Sequence, residues 1–354
     1  HSIIVGLLGM SFLAYLAGVA NPSTTSDYQI YELVYNDPVN RGIYFERGYD
    51  LVSQFFYNLG WSYASFRILF CYVAMLILFI GVLRFTNNIA LFSAVYGITI
   101  FSIDATQIRN LMMIAIVTLG LSFLKTINIR NVSLSLILIF LAAEFQSLGY
   151  VFLLTIFLIL VFSSSLKKNP RIHIICFCVL SLIVILFLAF FGISKVSNLL
   201  VEIAGVLGSR GNLAEKISGQ YVYGSSVRNW LLTVISTFFG LFYSYGLYSS
   251  SVSSGDEVKT GKNNVIFWTA ITSLLCLPLL FFAVDYSRIQ RACFIFIIIE
   301  VSIYSERYFL NVNKNKMILY LVPALVCALY GVTHNLIWGP NFIHAIPYIT
   351  QIFS

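Results

Sequence analysis

Arginines at helical spacing are the feature of this chain most suited to chemistry. Arg288 and Arg291 are three residues apart, so on a helix they share a face. A guanidinium presents a planar fork of donors that matches phosphate oxygens, and two on one face can clamp a diphosphate. Asp285 leaves a second interpretation open, in which it neutralises Arg288 structurally. Arg109, two residues after Gln107, is a third candidate ligand for such an anion.

Arg109 opens an apolar run, where an arginine can simply anchor the run by reaching the lipid headgroups. Its polar neighbours Asp104, Gln107 and Asn110 form a cluster larger than an anchor needs, which favours a binding site. Arg210 is a weaker candidate, because it lies in a glycine-rich segment of the kind that can close over a substrate.

Two carboxylates are candidates for a general base, Glu46 first and Asp27 second. Glu46 precedes Gly48 and Tyr49, where we predict an amphipathic interfacial helix over 49–59. A carboxylate at a helix N-terminus is also stabilised by the helix dipole, which is the structural alternative for Glu46. The many tyrosines of this segment suit either stacking on sugar rings or a place in the aromatic belt of a membrane interface.

These side chains must be positioned by membrane-spanning helices. The 354-residue chain is 59% hydrophobic and 10% charged, with a mean hydropathy of +0.88, whereas soluble domains are about half apolar and a quarter charged. We predict an all-α polytopic membrane protein with about 11 spans (about 10 to 12) and short interfacial helices, forming a single integral membrane domain over 1–354. The predicted spans are 2–20, 63–83, 88–103, 110–124, 132–146, 149–165, 172–192, 228–248, 264–284, 290–305 and 317–333, with a short amphipathic or re-entrant stretch at 342–353.

The distribution of basic residues indicates sidedness. Segments 21–61 and 192–227 are the two larger loops of the outer face when 21–61 is placed outside. The basic residues then divide almost equally between the faces, but most lysines lie inside, as topology signals do, and most outer basic residues are arginines. The net charge of +7 therefore indicates contact with lipid phosphates rather than with nucleic acid.

Several kinds of site have no signature in the sequence. It contains no HExxH, Walker A, GxSxG or CxxC pattern, so we expect neither a metal nor a cofactor. The six cysteines lie within apolar runs, which is typical of small buried apolar residues. Glu144, Gln146 and Glu300 lie within or near spans and should face the protein interior or a cavity.

The order of these elements resembles the EpsG family of bacterial exopolysaccharide and capsule proteins, which is related in role to Wzy-type polysaccharide polymerases. The resemblance extends over nearly the whole chain. At Gln146 the family leads us to expect histidine, so this position suits hydrogen bonding to a sugar rather than proton transfer. The resembling motifs are Asp27-Tyr28-x-x-Tyr31, Glu46-x-Gly48-Tyr49, Gln107-Ile108-Arg109, Arg288-x-x-Arg291 and Ile346-Pro347-Tyr348.

The resemblance implies a metal-independent glycosyltransferase of GT-C-like architecture, with its active site on the outer, periplasmic side of a bacterial plasma membrane. It would transfer a growing glycan from undecaprenyl pyrophosphate to the non-reducing end of a lipid-linked repeat unit. Its partners would be the lipid-linked donor and acceptor and membrane lipid, and the resemblance allows for a chain-length regulator protein. The implied residues are Glu46 and Asp27 for proton transfer and Arg109, Arg288, Arg291, Arg210, Gln107, Tyr49 and Gln146 for binding pyrophosphate or glycan.

Two alternatives stay open at this point. A flippase for the same lipid-linked glycans would also need arginines, but in a central cavity reached from both sides of the membrane. A ligase or a single-addition glycosyltransferase could use the same donor. The enzyme hypothesis predicts two lateral openings to the membrane, and it predicts that Arg109, Arg288 and Arg291 converge on one outward-facing cavity.

Overall fold

The computed structural model describes residues 1–25, 27–37, 45–166, 170–191, 227–281, 284–310 and 317–333, and within these ranges the regular elements are all helical. The α-helices are α1 (Ser2–Gly18), α2 (Tyr28–Asn36), α3 (Arg47–Asn58), α4 (Tyr63–Leu83), α5 (Ile89–Thr99), α6 (Phe101–Thr106), α7 (Ile108–Leu121), α8 (Ile129–Ala143), α9 (Phe152–Leu166), α10 (Pro170–Phe191), α11 (Val227–Ser253), α12 (Glu257–Cys276), α13 (Ser287–Leu310) and α14 (Met317–Val332). Short 3₁₀ helices cover Ser122–Lys125, Ser147–Val151, Leu277–Phe281 and Val284–Tyr286. Arg210 and the stretch 342–353 lie outside the described residues, as does the segment 192–227 except for its last residue.

Every predicted span overlaps an α-helix of the structure. Four helical segments of the described part are long and apolar enough to cross a membrane, and shorter apolar helices accompany them. The described part of the chain, all-helical and with such spans, is that of a membrane-embedded protein. The total of about 11 crossings stays a prediction. The four long segments are Tyr63–Leu83, Ile108–Lys125, Trp230–Ser253 and Glu257–Leu280.

The predicted span 88–103 is wrong as one continuous helix, because the chain breaks at Ile100 into α5 and α6. Ile100 has φ −117° and ψ −9°, which lie in the right-handed region but depart from the values of a regular α-helix. The hydroxyl of Thr99 just before it donates to the carbonyl of Val95 at 2.7 Å. Such a local hydrogen bond to the preceding turn bends helices, and it accompanies the break here.

The segment between α1 and α4 contains more helix than its sequence predicts. The predicted interfacial helix over 49–59 is present as α3, which begins two residues earlier at Arg47. Leu51 and Phe55 on α3 are exposed apolar side chains, as expected of a helix at an interface. α2 has no counterpart among the predicted elements, and it buries Tyr31 and Tyr35 against the rest of the protein.

Glycines allow the first helices to pack closely. α1 packs against α4 and α5, and α4 packs against α7, which in turn contacts α8. A Cβ on Gly6 would lie 2.5 Å from the side chain of Ile89, and one on Gly81 would lie 2.9 Å from the backbone nitrogen of Leu119. Small residues have this role between membrane helices, where close van der Waals packing replaces the hydrophobic effect.

The two ends of the bundle carry different basic residues. We call the end where α4, α7 and α13 begin the site end, and it holds Arg67, Arg109 and Arg291. At the opposite end, the Lys125 ammonium donates to the carbonyl of Arg84, and the Lys262 ammonium donates to the carbonyl of Phe85 at 2.5 Å. Lysines there satisfy carbonyls at the C-terminus of α4 and complement its dipole.

Candidate active site

The junction of α6 and α7 is the centre of the candidate site. Gln107 ends α6 and begins α7 with φ −104° and ψ 64°, which is not a helical conformation. Its backbone N–H donates to the carbonyl of Asp104 at 3.1 Å. Because the helix restarts here, Asp104 and Gln107 on one side of the break and Arg109 on the other all lie at the site end.

Arg67 holds this junction from inside the protein. Its side chain is completely buried. Its guanidinium donates to the carbonyl of Ala105 at 2.8 Å, to the carbonyl of Ala17 at 3.0 Å, and to the hydroxyl of Tyr63 at 3.2 Å. Sequence reasoning missed this role, although an arginine inside an apolar run is the signal that could have revealed it.

Arg109 forms an ion pair with Glu46. The side chains are 13% and 18% exposed, so the pair is largely shielded from solvent. The Arg109 guanidinium also lies 4.2 Å from the centre of the Phe45 ring, and its Nε donates to the hydroxyl of Tyr31 at 3.5 Å. The first choice of base and one of the candidate phosphate ligands are therefore direct partners.

Glu46 reaches Arg109 because α3 is fixed on the turn that follows α8. The N–H of Gly48 donates to the carbonyl of Glu144 at 2.8 Å, and a Cβ on Gly48 would lie 2.8 Å from that carbonyl oxygen. Only glycine allows this approach. Glu46 occupies the N-cap position of α3 but makes no capping hydrogen bond. Its second oxygen instead accepts from the N–H of Ser147 at 3.0 Å.

Arg291 approaches the same junction from α13. Its Nη2 donates to the Gln107 side-chain oxygen at 2.6 Å, and its Nε lies 3.7 Å from a carboxylate oxygen of Asp104. Asp104 is completely buried, and it also accepts from the Tyr96 hydroxyl at 3.4 Å and the Asn110 amide at 3.3 Å. Asp104 is a second residue that sequence reasoning did not choose, although it stood out as a polar neighbour of Arg109.

Arg288 lies one turn before Arg291 on α13. It pairs with Asp285 at 3.0 Å, and the side chains are 19% and 57% exposed. The neutralising role of Asp285 that the sequence left open is thus present in the structure. Because Asp285 is largely in contact with solvent, this pair is the weakest held of those at the site end.

The ion pairs Glu46–Arg109 and Asp104–Arg291 are connected through one short helix. The 3₁₀ helix Ser147–Val151 begins with the N–H that binds Glu46, and it contacts both α7 and α13. Each of the three arginines chosen from the described sequence has a carboxylate partner. An anion that binds at one of these three arginines would therefore compete with the carboxylate already paired to it.

The remaining predicted residues lie at different depths. Asp27 is half-buried at the start of α2, one turn before Tyr31, and its carboxylate forms no ion pair within the described ranges. Tyr49 is buried, which raises the pKa of its phenol well above the usual range. Its ring contacts that of Tyr31 rather than solvent. Gln146 is buried just before the 3₁₀ helix Ser147–Val151. In the described part, no three His, Cys, Asp or Glu residues are grouped to hold a metal ion.

Apolar grooves lie on either side of α4. One, of about 280 Å³, is bounded by α3, α4, α7 and α8. The other, of about 270 Å³, lies between α1 and α4. Leu69 and Val73 contribute to both. These grooves are candidates for the two lateral openings predicted from the sequence.

Comparison with known proteins identifies the family. The EpsG family model matches residues 3–350, nearly the whole chain. No curated protein and no solved structure matches the chain. The EpsG family is associated with glycosyltransferase-like polysaccharide polymerases. The family resemblance predicted from the motifs is therefore confirmed, and the chain belongs to the EpsG family of exopolysaccharide-related membrane proteins.

Proposed function

We propose that this protein is a polysaccharide polymerase that transfers a growing glycan from undecaprenyl pyrophosphate to the non-reducing end of a lipid-linked repeat unit. The observation that carries the proposal is the ion pair of Glu46 and Arg109 at the site end. It places a carboxylate suited to proton transfer directly against a guanidinium suited to pyrophosphate. Family membership supports the general reaction class.

Substrate binding would separate the pair. A pyrophosphate carries more charge than a carboxylate and presents several oxygens to the planar guanidinium, so it can replace Glu46 on Arg109. Glu46 would keep its hydrogen bond from the N–H of Ser147. The other carboxylate oxygen is then available to a sugar hydroxyl. Binding of the donor and exposure of the base thus become one event.

The transfer step follows from these positions. The acceptor hydroxyl oxygen attacks the anomeric carbon of the donor sugar, and the bond from that carbon to the pyrophosphate oxygen breaks. The electron pair leaves with the lipid pyrophosphate, whose charge Arg109 stabilises. The hydroxyl proton passes to Glu46. No nucleotide sugar takes part in this step.

The other arginines would support this step from α13. Arg291 holds the Gln107 side chain and therefore positions the start of α7. Arg288, whose ion-pair partner in the described part of the chain is the exposed Asp285, can turn toward a bound diphosphate. Since the arginines share one end of the bundle, we place this end at the outer face of a bacterial plasma membrane, with both lipid-linked substrates entering laterally. This arrangement favours an enzyme over a flippase, which needs access from both faces.

The test is incubation of the purified protein in detergent with a defined lipid-linked oligosaccharide, read as a ladder on a gel. We expect the wild type to form a ladder and Glu46→Gln to form none while still binding the lipid substrate. Glu32→Gln, a half-buried carboxylate on α2, serves as the matched control and should form the ladder normally. Normal turnover by Glu46→Gln would remove Glu46 as the base. Translocation in vesicles without any ladder would replace the polymerase by the flippase.

A further inference from the structure

An open apolar groove of about 280 Å³ runs along the bundle between α3, α4, α7 and α8. Every residue that bounds it is apolar, and Phe56, Val73, Ile116 and Leu141 represent the four helices. Val73 and Leu141 at its mouth are 40% and 45% exposed. In a membrane this mouth faces lipid, so a hydrocarbon chain can enter the groove from the side.

The groove begins beside the ion pair at the site end. On α7, Arg109 is followed by Met112, Ile116 and Leu119, whose spacing places the guanidinium and the apolar wall on one face of the helix. Phe145 closes the same end of the groove, two residues before the N–H that binds the carboxylate of the pair. A cationic group and an apolar channel are therefore continuous, as the head and chain of a lipid phosphate require.

The length of the groove matches one leaflet of a bilayer. Along α4 its residues extend from Phe66 to Ile77, and 11 steps at 1.5 Å each make this about 16 Å. The hydrocarbon core of a bilayer is about 30 Å thick, so the groove covers about half of it. A lipid chain whose phosphate lies at the site end would thus contact protein down to the middle of the membrane.

We propose that this groove holds the first isoprene units of a polyprenyl phosphate whose phosphate lies at Arg109. The identity of the lipid rests on the proposed function, while the position of its chain rests on the groove. Lipid tails are as apolar as the wall, so the hydrophobic effect does not drive a chain from bilayer into protein. Selection depends instead on packing, and a single groove accommodates a single-chain lipid phosphate better than a phospholipid with two acyl chains.

Labelling by a photoactivatable polyprenyl monophosphate tests the proposal on the full chain in lipid nanodiscs. This probe carries no sugar, so labelling reports occupancy without transfer. Val73→Trp fills the groove from α4. Ile80→Trp adds the same side chain two turns further along α4, at a position that is 43% exposed and not among the residues of the groove. We expect Val73→Trp to lower labelling about tenfold, equivalent to about 1.4 kcal/mol, and Ile80→Trp to leave it unchanged.

A second variant keeps the test decisive. Leu141→Trp fills the groove from α8 and should show the same loss if Val73→Trp does not fold, as judged by size-exclusion chromatography. Equal labelling of the wild type and both folded groove variants would overturn the proposal. Equal competition by unlabelled phosphatidylglycerol and unlabelled polyprenyl phosphate would overturn it too, because the groove would then bind any lipid.

The proposed lipid site and the proposed polymerase function can be refuted separately. If the wild type is labelled in the groove but forms no ladder from lipid-linked oligosaccharide, the proposed function fails and the groove stands. If a ladder forms while labelling does not depend on the groove variants, the function stands and the lipid chain lies elsewhere.

Discussion

The ion pair of Glu46 and Arg109 should contribute measurably to folding, and a double-mutant cycle can show this. The variants are Glu46→Gln, Arg109→Gln and the double variant, since glutamine keeps much of the hydrogen-bonding capacity while removing charge. Each single variant leaves one charge of a largely buried pair uncompensated, and the double variant leaves none. We therefore expect the double variant to lose less stability than the sum of the single variants.

The size of this coupling follows from the surroundings of the pair. Exposed ion pairs contribute about 0–1 kcal/mol, and breaking a fully buried pair costs about 3–5 kcal/mol. The side chains here are 13% and 18% exposed, which lies nearer the buried case. The ring of Phe45 at 4.2 Å and the N–H of Ser147 partly compensate whichever charge remains. We expect single losses of about 2–3 kcal/mol and a coupling of about 2 kcal/mol.

The assay is reversible unfolding of the purified protein by titration with a denaturing detergent. The matched control is the same cycle on the exposed pair of Asp256 and Lys259, whose side chains are 33% and 47% exposed. Asp256→Asn retains a residue suited to capping α12, so the control cycle measures the loss of the charge without the loss of the cap. The control should show no measurable coupling.

Additive losses at Glu46 and Arg109 would refute the reasoning, because they would mean that the two charges do not interact in the folded protein. A coupling no larger than that of the control pair would have the same meaning. Either result would also remove the exchange of carboxylate for pyrophosphate from the proposed mechanism.

Three further predictions concern residues around the site. Gly48→Ala brings a Cβ within 2.8 Å of the turn after α8 and should lower both melting temperature and ladder yield, whereas Gly246→Ala, which meets nothing within 4 Å, should leave both unchanged or raise stability slightly. Arg291→Lys removes the planar fork and should lower ladder yield about tenfold or more at normal expression, whereas Arg130→Lys at an exposed position should have no effect. Tyr49→Phe removes a buried hydroxyl that has no hydrogen-bond partner in the described part of the chain, and should raise the free energy of unfolding by about 1 kcal/mol.

Each of these has a result that would contradict it. Wild-type melting and yield in Gly48→Ala would show that α3 does not depend on its close approach to the turn. Wild-type chain lengths in Arg291→Lys would show that its contact with Gln107 has no part in transfer. A loss of ladder yield in a stable Tyr49→Phe variant would assign its hydroxyl to the glycan instead.

The helical segments and the basic residues at their ends could be predicted from the sequence, because both depend on local composition. Apolar runs of sufficient length can satisfy their backbone only as helices in lipid. The placement of Arg109 and Arg291 at one end and of Lys125 and Lys262 at the other depends on where those runs begin and end. Residues of the motif Glu46-x-Gly48-Tyr49 were also recognisable, although only the structure shows that Gly48 is required by the turn after α8.

Other elements could not be predicted, because they depend on contacts between distant parts of the chain. α2 is stabilised by burial of its tyrosines against α3 and α4, which no local pattern records. The break at Ile100 leaves α6 free to place Asp104 beside Arg291, 187 residues further along the chain. Arg67 lies near the start of an apolar run, yet it is completely buried in the structure, where it donates to carbonyls of Ala17 and Ala105.

The sequence by itself determined that this is an apolar, helix-rich chain whose candidate arginines lie at the edges of apolar runs, since those properties follow from composition and spacing. Only the tertiary structure decided which carboxylates pair with Arg109 and Arg291. Glu46 and Arg109 are 63 residues apart, and they meet because α3 is fixed on the turn after α8 while α7 begins at the same end. A charge in a shielded site is stable only with a partner, and the fold selects that partner.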